Sequence, residues 1–406
     1  MNLRELATTF KPYAVPTLVA VLVAGSIFYS GVLEHVGGAR DIDARYFYIA
    51  AKCWISGHSP YDPSVYAATY QQVFGSAPQA GFVAYLPVII LICLPLAAFD
   101  WPAAATCLTF MNFLAAMILF WACHRLAHGQ PNVALTPRQW FWVCLACTIG
   151  AISGSVSTGQ TSVFVSAALA LVLVGCRERR MWLTGIGWTI ASLKPQLSGP
   201  LLLLVPFFEP RQRSAVVISV GVVIAACVYA ASVDAHFVQS YLGSIAAYRQ
   251  LAVNDPAKLI GLIPVAMHMG AGRMTAEVIG VISLAVALGV LAWRLIYSGL
   301  RLSDDAIATM LTIFSIGIAM PIQGYDLCCY AAGISLMSTQ PQSRRLWLLA
   351  PILVIWRPHV WEKFAIFVPS NVVVGIAVCT LFFALLAIAL AGETFLVRRR
   401  SQIASS

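Results

Sequence analysis

The chain has 406 residues, 60% of them hydrophobic and only 10% charged, with 25 basic and 16 acidic side chains and a formal net charge of +9. That balance is too apolar for a soluble globule. In so apolar a chain the positive excess reports membrane orientation rather than an acidic partner, so no nucleic acid is expected. A bilayer span needs roughly 20 mostly apolar residues, and the recurrence of such stretches predicts an all-α polytopic membrane bundle of about 12 spans. They form one transmembrane domain over 1–406.

In chain order the spans fall near 13–34, 82–99, 102–122, 139–153, 160–176, 182–208, 214–233, 275–298, 304–320, 323–339, 345–357 and 365–391. The first, preceded by Arg4 and Lys11, has an apolar run longer than a signal-peptide core and reads as a retained anchor. Between it and the second span lies a loop, 35–81, too long for an ordinary connection. Within that loop Asp43 to Ser56 reads as an amphipathic helix, with Phe47, Ala50, Ala51 and Trp54 on one face. Gly57 stops it and "HSPYDP" turns the chain. Such a helix is expected to lie along the membrane surface with its aromatics at the interface.

Three later segments also interrupt the apolar pattern. "GSVSTGQ", 154–160, is polar and Gly-rich. "LKPQLSGP", 193–200, breaks the apolar run 182–208 with two prolines, and non-helical backbone at membrane depth is tolerated only against protein or a wet cavity. A second long polar-aromatic connection covers 234–273. No internal repeat is evident, which counts against a transporter built from duplicated halves.

Ionisable residues inside apolar spans are costly and mark function by default, and Lys194 and Asp326 are the clear cases. Lys194 either snorkels to the surface or sits with Gln196 in a polar pocket, where its ammonium can hold a phosphate. Asp326, in "PIQGYDLCCY", either marks a span end or belongs to a site. Asp41 and Asp43 open the loop helix. One of them suits an N-terminal cap, and a carboxylate there also suits a general base. The pair has the spacing of a divalent-cation site but no third ligand, so no metal is expected. Ten of the eleven cysteines lie in or beside apolar spans, and Cys144 with Cys147 has no accompanying histidine or second pair; both facts read as packing. Arg398–Arg400, Arg211 with Arg213, Arg294 with Arg301, and Arg344 with Arg345 fall on one side if the spans alternate. Arg125, Arg138, Arg177, Arg179 and Arg180 do not fit that alternation.

Five stretches in order, "DARYFYIAAKCWISGHSPYDP", "AYLPVIILICLPLAAF", "GQTSVFVSAALALVLVG", "ASLKPQLSGPLLLL" and "PIQGYDLCCY", resemble bacterial glycosyltransferase family 87 over about residues 40–340. That family comprises polytopic GT-C-type enzymes related to the polyprenol-phosphate-mannose-dependent α-mannosyltransferases. The resemblance implies transfer of one sugar, in the related enzymes mannose, from a polyprenyl-phosphate carrier to a lipid or glycan acceptor. It implies no cofactor, a multi-pass protein of the plasma (inner) membrane, and chemistry on the periplasmic or extracellular side. By the resemblance Asp43, with Asp41 as runner-up, deprotonates the acceptor hydroxyl for an inverting attack. Lys194, with Arg249 or Lys258, would face the phosphate. Tyr48, Tyr61, Gln160, Gln196, Asn254, Tyr325 and Asp326 would contact sugar or acceptor. Tyr325-Asp326 stands where some members carry a histidine-containing motif. No nucleotide-binding glycine loop appears, in keeping with a lipid-linked donor. A transporter or flippase for a lipid-linked sugar, or a structural membrane subunit, is the competing reading.

Overall fold

The computed structural model describes residues 17–29, 31, 42–78, 83–128, 134–364 and 368–404, so Asp41 lies outside the described residues. Short polar residues followed by proline begin several helices, because proline costs nothing where the first N–H groups have no helical acceptor. Asp62 caps one such start, Asp100 another, and Thr136 forms a reciprocal capping box with Gln139.

The helices used below are α1 (Thr17–Phe28), α2 (Ile42–Ile55), α3 (Pro63–Phe74), α4 (Trp101–Ala127), α5 (Pro137–Cys147), α6 (Gly150–Thr158), α7 (Ser162–Glu178), α8 (Met181–Ala191) and α9 (Pro195–Leu202). They continue with α10 (Pro210–Val233), α11 (Phe237–Gln250), α12 (Arg273–Ser298), α13 (Ala306–Phe314), α14 (Ala331–Leu336), α15 (Gln342–Trp356) and α16 (Ser370–Ala404). Among the described residues there is no strand, and one isolated bridge pairs Ile260 with Ile322.

By length and composition, five helical stretches among the described residues can cross a membrane: α4, α5 with α6, α10, α12 and Ser370–Ala391 of α16. Three shorter apolar ones, Thr17–Phe28, Pro87–Ala98 and Ala306–Ile318, accompany them. The expected 12 single crossings are not what the helices show, because several apolar runs are short or broken. At the centre, α7 is buried along nearly its whole length, as a helix apolar on every side must be. It packs against α8 so closely that a Cβ on Gly187 would come 2.7 Å from Ala168 O.

Many of the arginines gather at one end of this bundle. Arg125 and Arg180 both pair with Glu178, at 2.6 and 3.2 Å, and Arg179 and Arg301 both pair with Glu209. Arg294 meets Asp305 at 2.5 Å, and Arg138 bonds Gln342 at the start of α15. Arg125, Arg138, Arg177, Arg179 and Arg180, which strict alternation separates from the other arginines, therefore share their end. The reason is the run 182–208, which does not cross once. It climbs through α8 to Lys194, which bonds Ser162 at the far end of α7, and α9 leads back to Glu209 at the basic end.

A second expectation is corrected in the first loop. α2 is no surface helix: Ala44, Phe47, Tyr48, Ile49, Ala50, Ala51, Cys53 and Trp54 are all buried. It is pinned inside the protein by Lys52 Nζ donating to Ala97 O and Tyr48 Oη donating to Phe99 O, each at 2.8 Å. Its apolar residues surround the helix rather than forming one stripe, so protein and not the bilayer surface covers it.

Candidate active site

Two proline-forced irregularities place the charged residues. α8 stops at Ala191, and Pro195, which has no N–H and disfavours helix in the residue before it, opens α9. Lys194 sits in that break. Thirteen residues beyond Met181, it lies about 20 Å from the basic end at 1.5 Å of rise per residue. Its Nζ donates to Ser162 Oγ at 2.6 Å and to Asp326 Oδ1 at 2.7 Å, and it stands 4.8 Å from the centre of the Tyr325 ring.

Asp326 belongs to a 3₁₀ turn, Gly324–Tyr330, and both its oxygens are occupied. Oδ2 accepts from the Gln323 N–H at 3.3 Å, while Oδ1 accepts from Ser162 Oγ and Lys194 Nζ, each at 2.7 Å. Each side chain of the ion pair is 5% exposed. A charge this deep is tolerated because its partner is equally deep and the remaining polar atoms are hydrogen-bonded.

Asp43 reaches the same region from α2. Gly159, at φ +72°, ends α6 in the left-handed conformation that glycine adopts without strain. It also has no side chain to keep α2 away, since a Cβ there would lie 2.6 Å from Ala44 Cβ. The next residue, Gln160, is buried; its side chain hydrogen-bonds Asp43 and its Oε1 accepts from Tyr85 Oη at 3.2 Å. Burial pushes the Asp43 carboxyl above its ordinary value, and the Gln160 hydrogen bond and the Lys194 charge each pull it part of the way back. Asp43 stays half-buried rather than sealed. Burial, then the Asp43 charge, likewise raises the Tyr85 phenol.

A cover lies over these groups. The bridge between Ile260 and Ile322, with reciprocal N–H···O bonds of 2.9 Å, ties the second long loop to the strand-like entry of the Asp326 turn. Asn254 accepts from Gln323 Nε2 at 2.8 Å and donates to Tyr248 O at 2.7 Å. Tyr248 hydrogen-bonds Tyr325, and burial lifts its hydroxyl to about 12. Asp43, Gln160, Lys194, Asn254, Tyr325 and Asp326 are thus brought together. The sequence reading missed Tyr85, Ser162 and Tyr248; the first two lie in the quoted "AYLP" and "GQTS" stretches, beside residues that were singled out.

Other expected contacts fall elsewhere. Tyr48 points away from Asp43, packs on Trp101 and Phe74, and spends its hydroxyl on Phe99 O. Tyr61 is 1% exposed and donates to Tyr85 O at 2.7 Å, so it buttresses the cluster from behind. Gln196 is half-buried, and none of the cluster's hydrogen bonds reaches it. Arg249 and Lys258 are exposed on the covering loop, outside the hydrogen-bonded core.

The arrangement offers one ion-paired carboxylate, one open carboxylate and a buried cation against the Tyr325 ring, at the end of the bundle away from the arginine cluster around Glu178 and Glu209. This is a helical membrane protein with a polar site deep among its helix ends. The profile of glycosyltransferase family 87 matches residues 82–321, well over half the chain, and the protein belongs to that family. It is therefore a glycosyltransferase, which sets aside the transporter and structural-subunit readings. The matched stretch carries Tyr85, Gln160, Ser162, Lys194, Tyr248 and Asn254; Asp326 lies just after its end, whereas Asp43 lies well before its start. No curated relative and no solved structure matches the chain.

Proposed function

We propose that the protein moves a hexose, with mannose the sugar named by the family resemblance, from a polyprenyl phosphate to a lipid or glycan acceptor on the non-cytoplasmic face. The observation that carries this reading is the contrast between the two carboxylates. Asp326 is committed to an ion pair with Lys194 and to hydrogen bonds from Ser162 and the Gln323 N–H, whereas Asp43 is half-buried, raised towards a base's working range and oriented by Gln160.

In the reaction the acceptor hydroxyl donates its proton to Asp43 as its oxygen attacks the anomeric carbon. The bond from that carbon to the phosphate oxygen breaks, and polyprenyl phosphate leaves with the electron pair. Among the described residues of the cluster, no second open carboxylate stands ready to form a glycosyl-enzyme, so a single displacement, with inversion, fits the site. The Lys194 field and the Arg249 and Lys258 side chains on the cover supply positive charge for the leaving phosphate. The isoprenoid chain fits the apolar groove between α8 and α10, floored by Gly185 and Ala215 and walled by Trp182, Ile186 and Ile218. That groove ends at Ile190, about 6 Å of helix rise before Lys194. The arginine-rich end would face the cytoplasm by the positive-inside rule, which leaves the cluster towards the other leaflet.

The test is transfer of radiolabelled mannose from polyprenyl phosphate mannose in membranes holding equal amounts of wild type or Asp43→Asn. Loss of transfer by about 10²–10⁴-fold is expected for removal of a general base. Retained transfer removes Asp43 from that role.

A further inference from the structure

A second cavity, of about 710 Å³, opens at the same end of the bundle as the cluster but outside it. The turn after α2, the end of α10 and one face of α11 enclose it. Its volume is that of an ordinary small-molecule site. Neither the reaction described above nor the bundle's packing uses it.

Its lining is specific in chemistry. His58, Asp62, Asp234 and His236 stand around it, and no lysine or arginine does. Both carboxylates are held in place: Asp62 Oδ1 accepts from the Ser64 N–H at 2.8 Å, and Asp234 Oδ1 accepts from the His236 N–H at 2.8 Å. Each keeps its other oxygen as an acceptor for a ligand. The floor is α11, where Ser240, Gly243 and Ser244 leave room, and a Cβ on Gly243 would meet nothing within 4 Å. Two carboxylates without a basic residue disfavour a phosphate or other anion, and the polar rim disfavours an acyl or isoprenoid chain. Among the described residues no group of three or more histidine, cysteine or acidic side chains could hold a metal ion. Acceptors, imidazoles and hydroxyls around a hollow without a lysine or arginine match a neutral polyol, whose hydroxyls can donate to the carboxylates.

The cavity also shares a wall with the cluster. Tyr61 lines it, donates to Tyr85 O, and Tyr85 in turn reaches Gln160 beside Asp43. α2 starts next to the cluster and ends at the cavity, a length of about 21 Å for its 14 residues. We propose that this cavity binds hexose units of an oligosaccharide acceptor, several sugars away from the hydroxyl that reacts. The proposal rests on the transferase reading for its purpose, but its test does not depend on turnover.

Diethyl pyrocarbonate modification of the purified full chain, resolved by mass spectrometry at each histidine, reads the site. The probes are mannotriose and maltotriose, with mannose and inorganic phosphate as comparisons. The expected result is that one or both trisaccharides slow modification of His58 and His236 together, by about tenfold at ten times the half-saturating concentration of a single site. Mannose should protect less and phosphate not at all. In Gly243→Trp, whose indole would occupy the hollow, trisaccharide protection should disappear while transfer to a short acceptor continues. Unchanged rates with both trisaccharides, or protection by phosphate alone, overturn the proposal. Failure of Asp43→Asn to abolish transfer would instead strike the catalytic reading and leave the protection result standing.

Discussion

Lys194 Nζ and Asp326 Oδ1 lie 2.7 Å apart, from residues 132 positions apart in the chain, with Ser162 Oγ hydrogen-bonded to both. The contact joins the break between α8 and α9 to the turn that precedes α14, and it fixes the depth at which the chain reverses. Breaking one side of such a pair leaves a buried charge alone, which costs about 3–5 kcal/mol. Lys194→Met should therefore lower the thermal midpoint of the detergent-purified protein sharply. Lys194→Met combined with Asp326→Asn, which keeps an oxygen for the Gln323 N–H, should regain most of that loss yet remain inactive. A double variant no more stable than the single would mean that the ion pair is not what holds the reversal.

Asp43 ties activity to pH in one direction. As a base it works ionised, and burial raises its pKa above the ordinary 3.8, so kcat/KM should fall with falling pH well before an exposed aspartate would protonate. Stability runs the other way. A carboxyl whose folded pKa is raised stabilises the fold below its unfolded pKa, and that contribution is lost as pH rises through the folded value. At neutral pH Asp43→Asn should thus melt higher than wild type, by about 1.4 kcal/mol for each unit of displacement. The gap should close as pH is lowered towards 3.8. A variant that melts lower at every pH would show that the carboxylate is stabilised where it stands.

Much of this was legible in the chain, and the exceptions have physical causes. Apolar runs locate the crossing helices: 102–122 anticipates Trp101–Ala127, and 275–298 anticipates Arg273–Ser298. Pro195 and Pro200 mark the break at Lys194, since a missing N–H is a local property. The return of the chain after that break is not local. It depends on Lys194 finding Asp326 and Ser162, a pairing that no periodicity encodes, and one missed reversal shifts the parity of every later span. The misreading of α2 was avoidable. Tyr46, Tyr48, Ile49 and Cys53 fill the faces that Phe47, Ala50, Ala51 and Trp54 leave, and a helix apolar all round belongs inside a protein.

Gly159 should be the most sensitive glycine near the site. Alanine there would meet both a φ of +72° and Ala44 Cβ at 2.6 Å. The collision pushes α2, and Asp43 with it, away from Gln160. Gly159→Ala should lose transfer by a hundredfold or so, the scale on which roughly 1 Å of misplacement acts, with a smaller fall in thermal midpoint. Adding Ala44→Gly removes the closest contact but neither the tight approach to the residue 44 backbone nor the strain at 159, so activity should return in part. Full activity in Gly159→Ala would show that α2 is not held by this contact.

The two ends of the bundle make the orientation testable without any substrate. Gln72 is exposed on α3 near the cavity end, and Arg211 is exposed at the arginine-rich end. The protein's own described cysteines are buried or half-buried and should react slowly with a bulky reagent. A membrane-impermeant maleimide applied to spheroplasts should therefore label Gln72→Cys at once and Arg211→Cys only after permeabilisation, because the positive end is retained in the cytoplasm. The opposite pattern would put Asp43 and Lys194 on the cytoplasmic side. A nucleotide-sugar donor would then be accessible, and the lipid-phosphate donor would lose its main physical argument.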